Sequence, residues 1–499
     1  MGVIKRQTIK GSLYSYLGVV VGFFTTALMM PKLMSLDQIG LISVLVAVSA
    51  LYAQFSTLGF TNVTARIFSY FRDKDKNHNG FVFLSVAVGM IGFSIALTSF
   101  FILKPSIVES NQEKSPLLVQ YIWYLVPLIF FRMFFLILDT YNKMLFDATT
   151  GTFLSDLLFR IGNLFLLIAF YFQWINFTQY VLGYVIFMCF PAVYLAGLLI
   201  YRKQFNLQPD LEFIQPPLRK EMFSLALFGI IGGLCTVALT SVDKILLNEY
   251  YNLSMAGVYS ISFFFGSIIL IPNKAIGKIS STIIADSWKD NDLETIDDIY
   301  YKSSINQLFA GLFLFILITT NLHNIFKILP PEYSGGEWVI ILISLGNLMV
   351  ASTGVSVQII STSHKYKVQT YSTVILILLT IIFYMIFIPL WGMKGAALGT
   401  LFSMASSSAM RVFYINWNMK LFPYRTTHLK CLAIGLLAFA AGKIIPIQDN
   451  YMVDLIIRGT AISLVFIGLC YRFDISSEMN IMGNKLILEL KKRWGRLFK

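Results

Sequence analysis

The sequence has few charged residues and few of the side chains that catalyse reactions or bind metals. Asp, Glu, Lys and Arg together make up 13% of its 499 residues, about half the share that a soluble protein carries. The four cysteines, at 189, 235, 431 and 470, fall inside apolar stretches without metal-ligand spacing. Buried cysteine usually behaves as a small apolar side chain, so the sequence predicts neither disulfides nor a metal site.

Long soluble segments and nucleotide-binding loops are also missing. No G-x-x-x-x-G-K-[ST] motif occurs, so ATP hydrolysis by this chain is not expected. The loops are short, and none is long enough to form a soluble catalytic domain. The sequence therefore predicts a protein without an enzymatic active site and without a bound cofactor.

Apolar stretches of about 18–25 residues fill the chain instead, and about fourteen of them can be counted. This is the length that an α-helix needs to cross the ~30 Å hydrocarbon layer. The sequence therefore predicts an all-α polytopic membrane protein whose function lies between its helices, which favours transport. The predicted spans are 12–30, 40–60, 81–103, 118–138, 153–172, 179–201, 223–247, 255–276, 303–322, 338–361, 370–390, 395–416, 429–446 and 453–471.

The formal net charge of +13 could indicate a nucleic-acid-binding protein, but the positions of the charges give another explanation. If the N-terminus is cytoplasmic, most Lys and Arg residues fall in the cytoplasmic loops, which is the asymmetry that sets membrane topology. An even number of spans then places both termini in the cytoplasm. We expect no nucleic-acid partner. The basic tail has Leu486, Leu490, Trp494 and Leu497 on one helical face, a pattern typical of a helix in the lipid headgroup layer.

Two halves of the sequence repeat each other with an offset of 216 or 217 residues. The small-residue motif Gly18-x-x-x-Gly22 has a counterpart in Gly229-x-x-x-Gly233, and Gly40 corresponds to Gly257. The offset covers six spans, so the repeats run in the same direction through the membrane, which is a transporter architecture. The predicted domains are two six-helix lobes, at 1–203 and 223–420, joined by a linker at 204–222. Two extra helices at 421–472 and a basic tail at 473–499 follow.

Basic residues inside the spans are the candidates for substrate binding. A lipid-facing Lys or Arg at mid-span costs about 2.5–3.5 kcal/mol on insertion scales, so most must pair with acids, face a wet cavity or reach the interface. Since bases outnumber acids in the spans, an anionic substrate is favoured, and the planar guanidinium suits phosphate. The predicted substrate-binding residues are Arg132, Arg160, Lys244, Lys274 and Arg411.

Some of these charges have an alternative, structural explanation. Arg160 follows Asp156 by four residues, and Arg458 follows Asp454 likewise, so each can form an ion pair within its own helix. Arg411 ends a stripe with Ser403 and Ser407 and has no acid nearby on its helix. Asp156 and Asp243 are candidates for a coupling-ion site, for H⁺ or Na⁺, or for structural pairs.

The chain resembles the multidrug/oligosaccharidyl-lipid/polysaccharide exporter superfamily, and within it the bacterial polysaccharide flippases. The resemblance covers roughly residues 1–472. It is carried by "SVDKILLNEYYNLSMAGVYS", by its N-terminal counterpart "MSLDQIGLISV", and by the "WGMKGAALGT" box.

The resemblance implies two lobes around a cavity that opens alternately to each side of the bacterial cytoplasmic membrane. It implies an undecaprenyl-diphosphate-linked oligosaccharide as the substrate, with basic residues holding the diphosphate and the last two helices holding the lipid tail. Membrane lipid, and polysaccharide biosynthesis proteins in the same membrane, would be its partners.

Two other functions stay open at this point. A drug exporter of the same superfamily would have a cavity rich in acids and usually twelve spans. A membrane-embedded polysaccharide polymerase or ligase would need catalytic groups at the outer face. His323 and Glu332 are the best pair available for that chemistry, although we expect His323 to be an ordinary interfacial residue.

Overall fold

The computed structural model describes residues 2–210, 213–365, 367–476, 478–481 and 484. Helices are the only regular elements in this part of the chain. The predicted tail helix with Leu486, Leu490, Trp494 and Leu497 lies outside the described residues. So does the side chain of Lys274, whose backbone lies in a helix.

The chain divides into two compact units, one formed by Met1–Ile261 with Tyr384–Ala396 and the other by Ser262–Phe383 with Ala397–Lys499. The predicted domain boundaries follow the sequence repeat, which is a different property, and they stay a prediction. The helices of the first unit are α1 Gly2–Gly22, α2 Met30–Leu33, α3 Leu36–Ser56, α4 Phe60–Phe71, α5 Phe81–Asn111, α6 Pro116–Tyr121, α7 Leu125–Met144, α8 Thr149–Thr152, α9 Phe159–Tyr171, α10 Phe177–Tyr201, α11 Pro216–Tyr250 and the first part of α12 Leu253–Ser267.

The second unit holds the end of α12 and the remaining helices. These are α13 Ile271–Lys289, α14 Leu293–Thr320, α15 Leu322–Ile328, α16 Glu337–Ser352, α17 Ser356–Thr362, α18 Lys367–Met419, α19 Thr426–Ile444 and α20 Tyr451–Arg472. The middle part of α18, Tyr384–Ala396, belongs to the first unit. Its apolar core packs α14 against α19 and α20 through residues such as Leu312, Ile434 and Phe466. Because lipid tails are as apolar as these side chains, close van der Waals packing is the main stabilising contribution to such a contact between spans.

Thirteen helices of the described chain are long and apolar enough to cross a membrane. The prediction of an all-α polytopic membrane protein is confirmed. The count differs from fourteen because α18 has 53 residues, about 80 Å of helix, which is far more than one crossing needs. The helix is broken at Gly392, whose φ of 56° and ψ of −131° lie outside the helical region, so the two predicted spans 370–390 and 395–416 are its two arms.

Side-chain caps fix where several helices begin. Ser35 accepts a hydrogen bond from the backbone N–H of Gln38, and the Gln38 side chain accepts one from the N–H of Ser35. Asn176 and Gln179 form the same reciprocal pair at the start of α10. Such capping boxes satisfy two backbone donors that the first turn leaves open.

Positions related by the sequence repeat meet in the first unit, where α3 and α12 cross. A Cβ atom added to Gly257 would collide with the carbonyl oxygen of Leu36, and one added to Gly40 would collide with that of Leu253, so both repeats need glycine at this crossing. Nearby, the hydroxyl of Ser254 donates to Oδ1 of Asp37 at 2.5 Å, and these two residues are again 217 positions apart. The repeat in the sequence is therefore also a contact in the structure.

Candidate functional site

Arg132 and Arg160 are placed near one phenol in the first unit. Arg132 lies at the middle of α7 and donates to the carbonyl oxygen of Val46 at 3.3 Å. Arg160 lies in the first turn of α9 and donates to the carbonyl oxygen of Gly18 at 2.6 Å. The Tyr184 phenol of α10 interacts electrostatically with both guanidinium groups. Two half-buried cations beside one hydroxyl make a site suited to an anion.

Two π-helical turns and a pair of glycines position Arg160. One turn, Phe23–Met29, follows α1. The other, Phe153–Leu158, precedes α9. A side chain at Gly22 would collide with the Arg160 guanidinium, and one at Gly18 with the backbone of residue 156. The small residues of the Gly18-x-x-x-Gly22 motif therefore leave the space that the Arg160 side chain occupies. Such π-helical turns are frequent at functional sites.

Asp156 lies within the second π-helical turn, and this affects its predicted pairing with Arg160. Its carboxylate accepts hydrogen bonds from Ser15 at 2.7 Å and from Ser155 at 3.1 Å. Among the described residues, no ion pair within 4 Å joins it to Arg160. The Asp156 carboxylate still interacts electrostatically with the Arg160 guanidinium, so it neutralises part of this charge without a direct ion pair.

The neighbouring residues Asp243 and Lys244 of α11 are held differently. Asp243 is fully buried, and its Oδ1 accepts the backbone N–H of Lys244 at 2.8 Å. Its Oδ2 has no hydrogen-bond partner within the described part of the chain. The Lys244 ammonium donates to the carbonyl oxygen of Thr240 at 2.6 Å. A buried carboxylate oxygen without a partner is a candidate ligand for a proton or a small cation.

Arg411 lies inside the second unit, on the arm of α18 that follows Gly392, which we call the distal arm. Only 6% of the residue is exposed. It donates to the hydroxyl of Ser407 at 2.5 Å and to that of Ser408 at 3.3 Å. The predicted polar stripe is thus present. Two phenols that the sequence analysis missed, Tyr300 and Tyr424, interact electrostatically with the guanidinium. They come from 111 residues before and 13 residues after Arg411, and no local pattern connects them to it.

The predicted pair of Asp454 and Arg458 is formed, with Nη2 of Arg458 at 2.9 Å from Oδ1 of Asp454. Both residues are buried. Asp454 also accepts hydrogen bonds from Asn324 at 2.5 Å and from the backbone N–H of Gln448 at 3.0 Å. His323 lies 2.9 Å from the same carboxylate and its side chain is 26% exposed, so the expectation of an ordinary interfacial histidine stays a prediction. Its ring belongs to a polar network that joins α15 to α20.

Described residues of the second unit line a cavity of about 710 Å³ along one face of α20, and we call it the α20 groove. Its lining is mostly apolar and includes two glycines: Leu455, Ile456, Gly459, Thr460, Ser463, Leu464, Ile467, Gly468, Tyr471 and Met479. A Cβ at Gly459 or Gly468 would meet no atom within 4 Å. A smaller cavity, about 360 Å³, lies beside His323, Glu337 and Lys443.

Charged groups outside the spans are tied into ordinary structural contacts. Asp147, between α7 and α8, accepts hydrogen bonds from Thr150 and lies 2.8 Å from Arg202. Burial alone would raise the pKa of Asp147, but the hydrogen bonds from Thr150 and Arg202 outweigh it and lower the pKa below its ordinary value. Burial raises the pKa of Tyr424, in the loop before α19.

Comparison with known proteins gives the fold. No family model and no curated protein sequence matches the chain. The solved structure of lipid II flippase MurJ in an inward closed conformation is similar, with a TM-score of 0.72, 14% identity, and coverage of 94% of this chain and 100% of that chain.

Multidrug transporters are similar as well. An inward-facing MATE family transporter of the MOP superfamily has a TM-score of 0.60 and 14% identity over 82% of this chain and 94% of its own. A mutant of the Vibrio cholerae MATE transporter VcmN gives a TM-score of 0.52 and 11% identity over 84% of this chain and 98% of its own. The chain therefore has the fold that these transporters share, as the sequence predicted, and these similar structures are of transporters.

Proposed function

We propose that this protein is a flippase that moves an undecaprenyl-diphosphate-linked oligosaccharide from the cytoplasmic to the outer leaflet by alternating access. The observation that carries the proposal is the pair of Arg132 and Arg160 beside Tyr184, since neither arginine forms an ion pair with a carboxylate among the described residues. A diphosphate carries about two negative charges and cannot enter hydrocarbon without such groups to replace its water.

The α20 groove supports a substrate with a lipid tail. The groove is mostly apolar and has a volume of about 710 Å³, which is within the size range of cavities that bind ligands. A polyprenyl chain in this groove would contact apolar side chains. The greater share of this chain that matches the lipid II flippase, 94% against 82–84%, agrees with the same interpretation.

The remaining predicted residues have narrower roles in this proposal. Lys244 and Lys274 stay predicted contacts of the head group, and Arg411 would reach phosphate only if the interior of the second unit opened. Asp156 and Asp243 would bind the coupling ion, a proton or Na⁺. The protein would span the bacterial cytoplasmic membrane with both termini in the cytoplasm, beside polysaccharide biosynthesis proteins of the same membrane.

A cation-coupled exporter of small molecules is the second candidate. The fully buried Asp243, with one carboxylate oxygen unpartnered in the described chain, favours it, because such a group suits cation coupling. A polymerase or ligase is less favoured, because the His323 ring is bonded to Asp454 and not to Glu332.

The test is mass spectrometry of lipid-linked oligosaccharides in a deletion strain complemented with wild type, Arg132→Gln, Arg160→Gln or Lys220→Gln. Lys220 is an exposed lysine at the start of α11, and its variant removes the same charge elsewhere in the same unit. Accumulation of one completed lipid-linked oligosaccharide in the arginine variants, cleared by wild type and by Lys220→Gln, is the expected result. If no lipid intermediate accumulates even in the deletion strain and drug sensitivity rises, the exporter becomes the better assignment.

The groove is tested separately with Gly459→Leu. Its matched control is Gly197→Leu on α10, where an added Cβ also meets no atom within 4 Å. Leucine at 459 would fill the groove without disturbing packing, so lipid intermediates should accumulate in that variant alone. Equal clearance by both variants would remove the groove from the proposed mechanism.

A further inference from the structure

Arg411 and Arg458 are two buried arginines of the same unit with different means of neutralisation. Arg458 is 2% exposed and lies against the carboxylate of Asp454. Arg411 is 6% exposed, and none of the ion pairs among the described residues includes it. A buried cation without an opposite charge is strongly unfavourable, so the neutralising charge of Arg411 needs another source.

The donors around Arg411 are only partly used. Its terminal nitrogens donate to Ser407 and Ser408 on its own helix, but its Nε has no hydrogen-bond partner within the described chain. Tyr300 of α14 is fully buried, and its hydroxyl also lacks a partner there. A buried donor without an acceptor is unfavourable, and the two residues that carry these donors interact electrostatically with each other.

The interactions that the described residues make with Arg411 involve hydroxyl groups and no carboxylate. Tyr424 interacts electrostatically with Arg411 and with Tyr300, and its hydroxyl lies 3.2 Å from that of Ser352. Ser352 in turn precedes the loop that carries the chain to α17, and its carbonyl oxygen accepts from Ser304. All of these groups are neutral hydroxyls or donors that an anion can use.

We propose that Arg411, Tyr300 and Tyr424 form a binding site for one small monovalent inorganic anion, chloride in the cell, enclosed in the second unit. The anion accepts hydrogen bonds from Nε of Arg411 and from the Tyr300 hydroxyl, and its single charge balances the single guanidinium. The site holds α14, the distal arm of α18 and the loop before α19 together. It goes beyond the proposed flippase activity and does not require it.

The experiment uses the purified full-length protein in detergent and follows its thermal unfolding. Chloride is titrated against gluconate, which is too large for an enclosed site, at constant ionic strength. For wild type, Tm should rise by about 1–2 °C for each tenfold increase in chloride above its Kd, because a ligand that binds only the folded state stabilises it by mass action. Inorganic phosphate is tested in the same way.

Three variants decide the assignment. Arg411→Gln should abolish the chloride dependence, and Tyr300→Phe, which removes one hydroxyl, should raise the apparent Kd about tenfold or more. Lys220→Gln, at an exposed position of the other unit, should respond to chloride as wild type does. If Arg411→Gln does not fold, Tyr300→Phe carries the test alone.

Three results would overturn the proposal: a wild-type Tm equal in chloride and gluconate, an unchanged response in Tyr300→Phe, or stabilisation by phosphate and not by chloride. The last would assign Arg411 to a phosphate-bearing substrate. None of these results affects the lipid-intermediate assay, so failure of this proposal and failure of the proposed function are distinguishable.

Discussion

Removing the charge of Asp454 should destabilise the protein strongly. The carboxylate is fully buried and accepts from both Nε and Nη2 of Arg458, from Asn324 and from the backbone of Gln448. Asp454→Asn keeps the shape of the side chain but leaves a buried guanidinium without its partner. Breaking such a pair costs about 3–5 kcal/mol, or a fall in Tm of roughly 3–10 °C for a chain of this size.

The magnitude is measured by thermal unfolding in detergent, followed by tryptophan fluorescence. The matched control is Asp298→Asn on α14, where Asp298 pairs with Lys302 at 2.6 Å with the same spacing and order. These side chains are 51% and 43% exposed, so the change should stay within about 1 kcal/mol. The two variants differ chiefly in the burial of the pair.

A double variant separates loss of the pair from loss of packing. Asp454→Leu with Arg458→Met replaces both charges by apolar side chains, which is often nearly neutral for buried pairs. We therefore expect it to be more stable than Asp454→Asn. A fall in Tm of Asp454→Asn no larger than that of Asp298→Asn would refute the reasoning, because the buried network would then contribute little.

Three further variants test other parts of the structure. Gly392→Ala should lower stability by about 1–3 kcal/mol, measured as Tm, because its backbone angles suit glycine alone; an unchanged Tm would mean that the break in α18 needs no glycine. Asp147→Asn should reduce the free energy of unfolding at neutral pH, because folding lowers the pKa of Asp147. The resulting stabilisation is present above the unfolded-state pKa of about 4 and is lost as the pH falls through the lower folded-state pKa. The difference from wild type should vanish in acid, and a constant difference at all pH values would contradict this. Gly22→Val should displace the Arg160 guanidinium and reproduce the lipid accumulation of Arg160→Gln, whereas full clearance would separate this contact from transport.

The number of spans could be predicted closely from the sequence, because crossing a membrane sets helix length and apolarity directly. The Gly18-x-x-x-Gly22 motif was recognised as part of the repeat, and the structure places the Arg160 guanidinium against Gly22. The break at Gly392 was predicted as the loop between two spans, although the helix on either side continues almost to the glycine.

Long-range polar contacts could not be predicted in this way. Tyr184 and Tyr300 resemble many other tyrosines in apolar stretches, and only the packing of α10 and α14 brings them to arginines. His323 precedes Asp454 by 131 residues, and no periodicity within one helix connects them. The predicted partner of Arg458 was found because a spacing of four residues is local, and the phenols beside Arg411 were missed because they are not.

The contact between α3 and α12 has a consequence for how the two repeats could diverge. A symmetric dimer of one six-helix chain would place identical residues against each other, so its Asp37 would face a second aspartate and the two charges would repel. Fusing both copies into one chain frees each position to change alone. The glycines at 40 and 257 are the same, because a close crossing demands them on both sides. Asp37 and Ser254 differ, and an acceptor now meets a donor, a complementarity that identical subunits cannot encode.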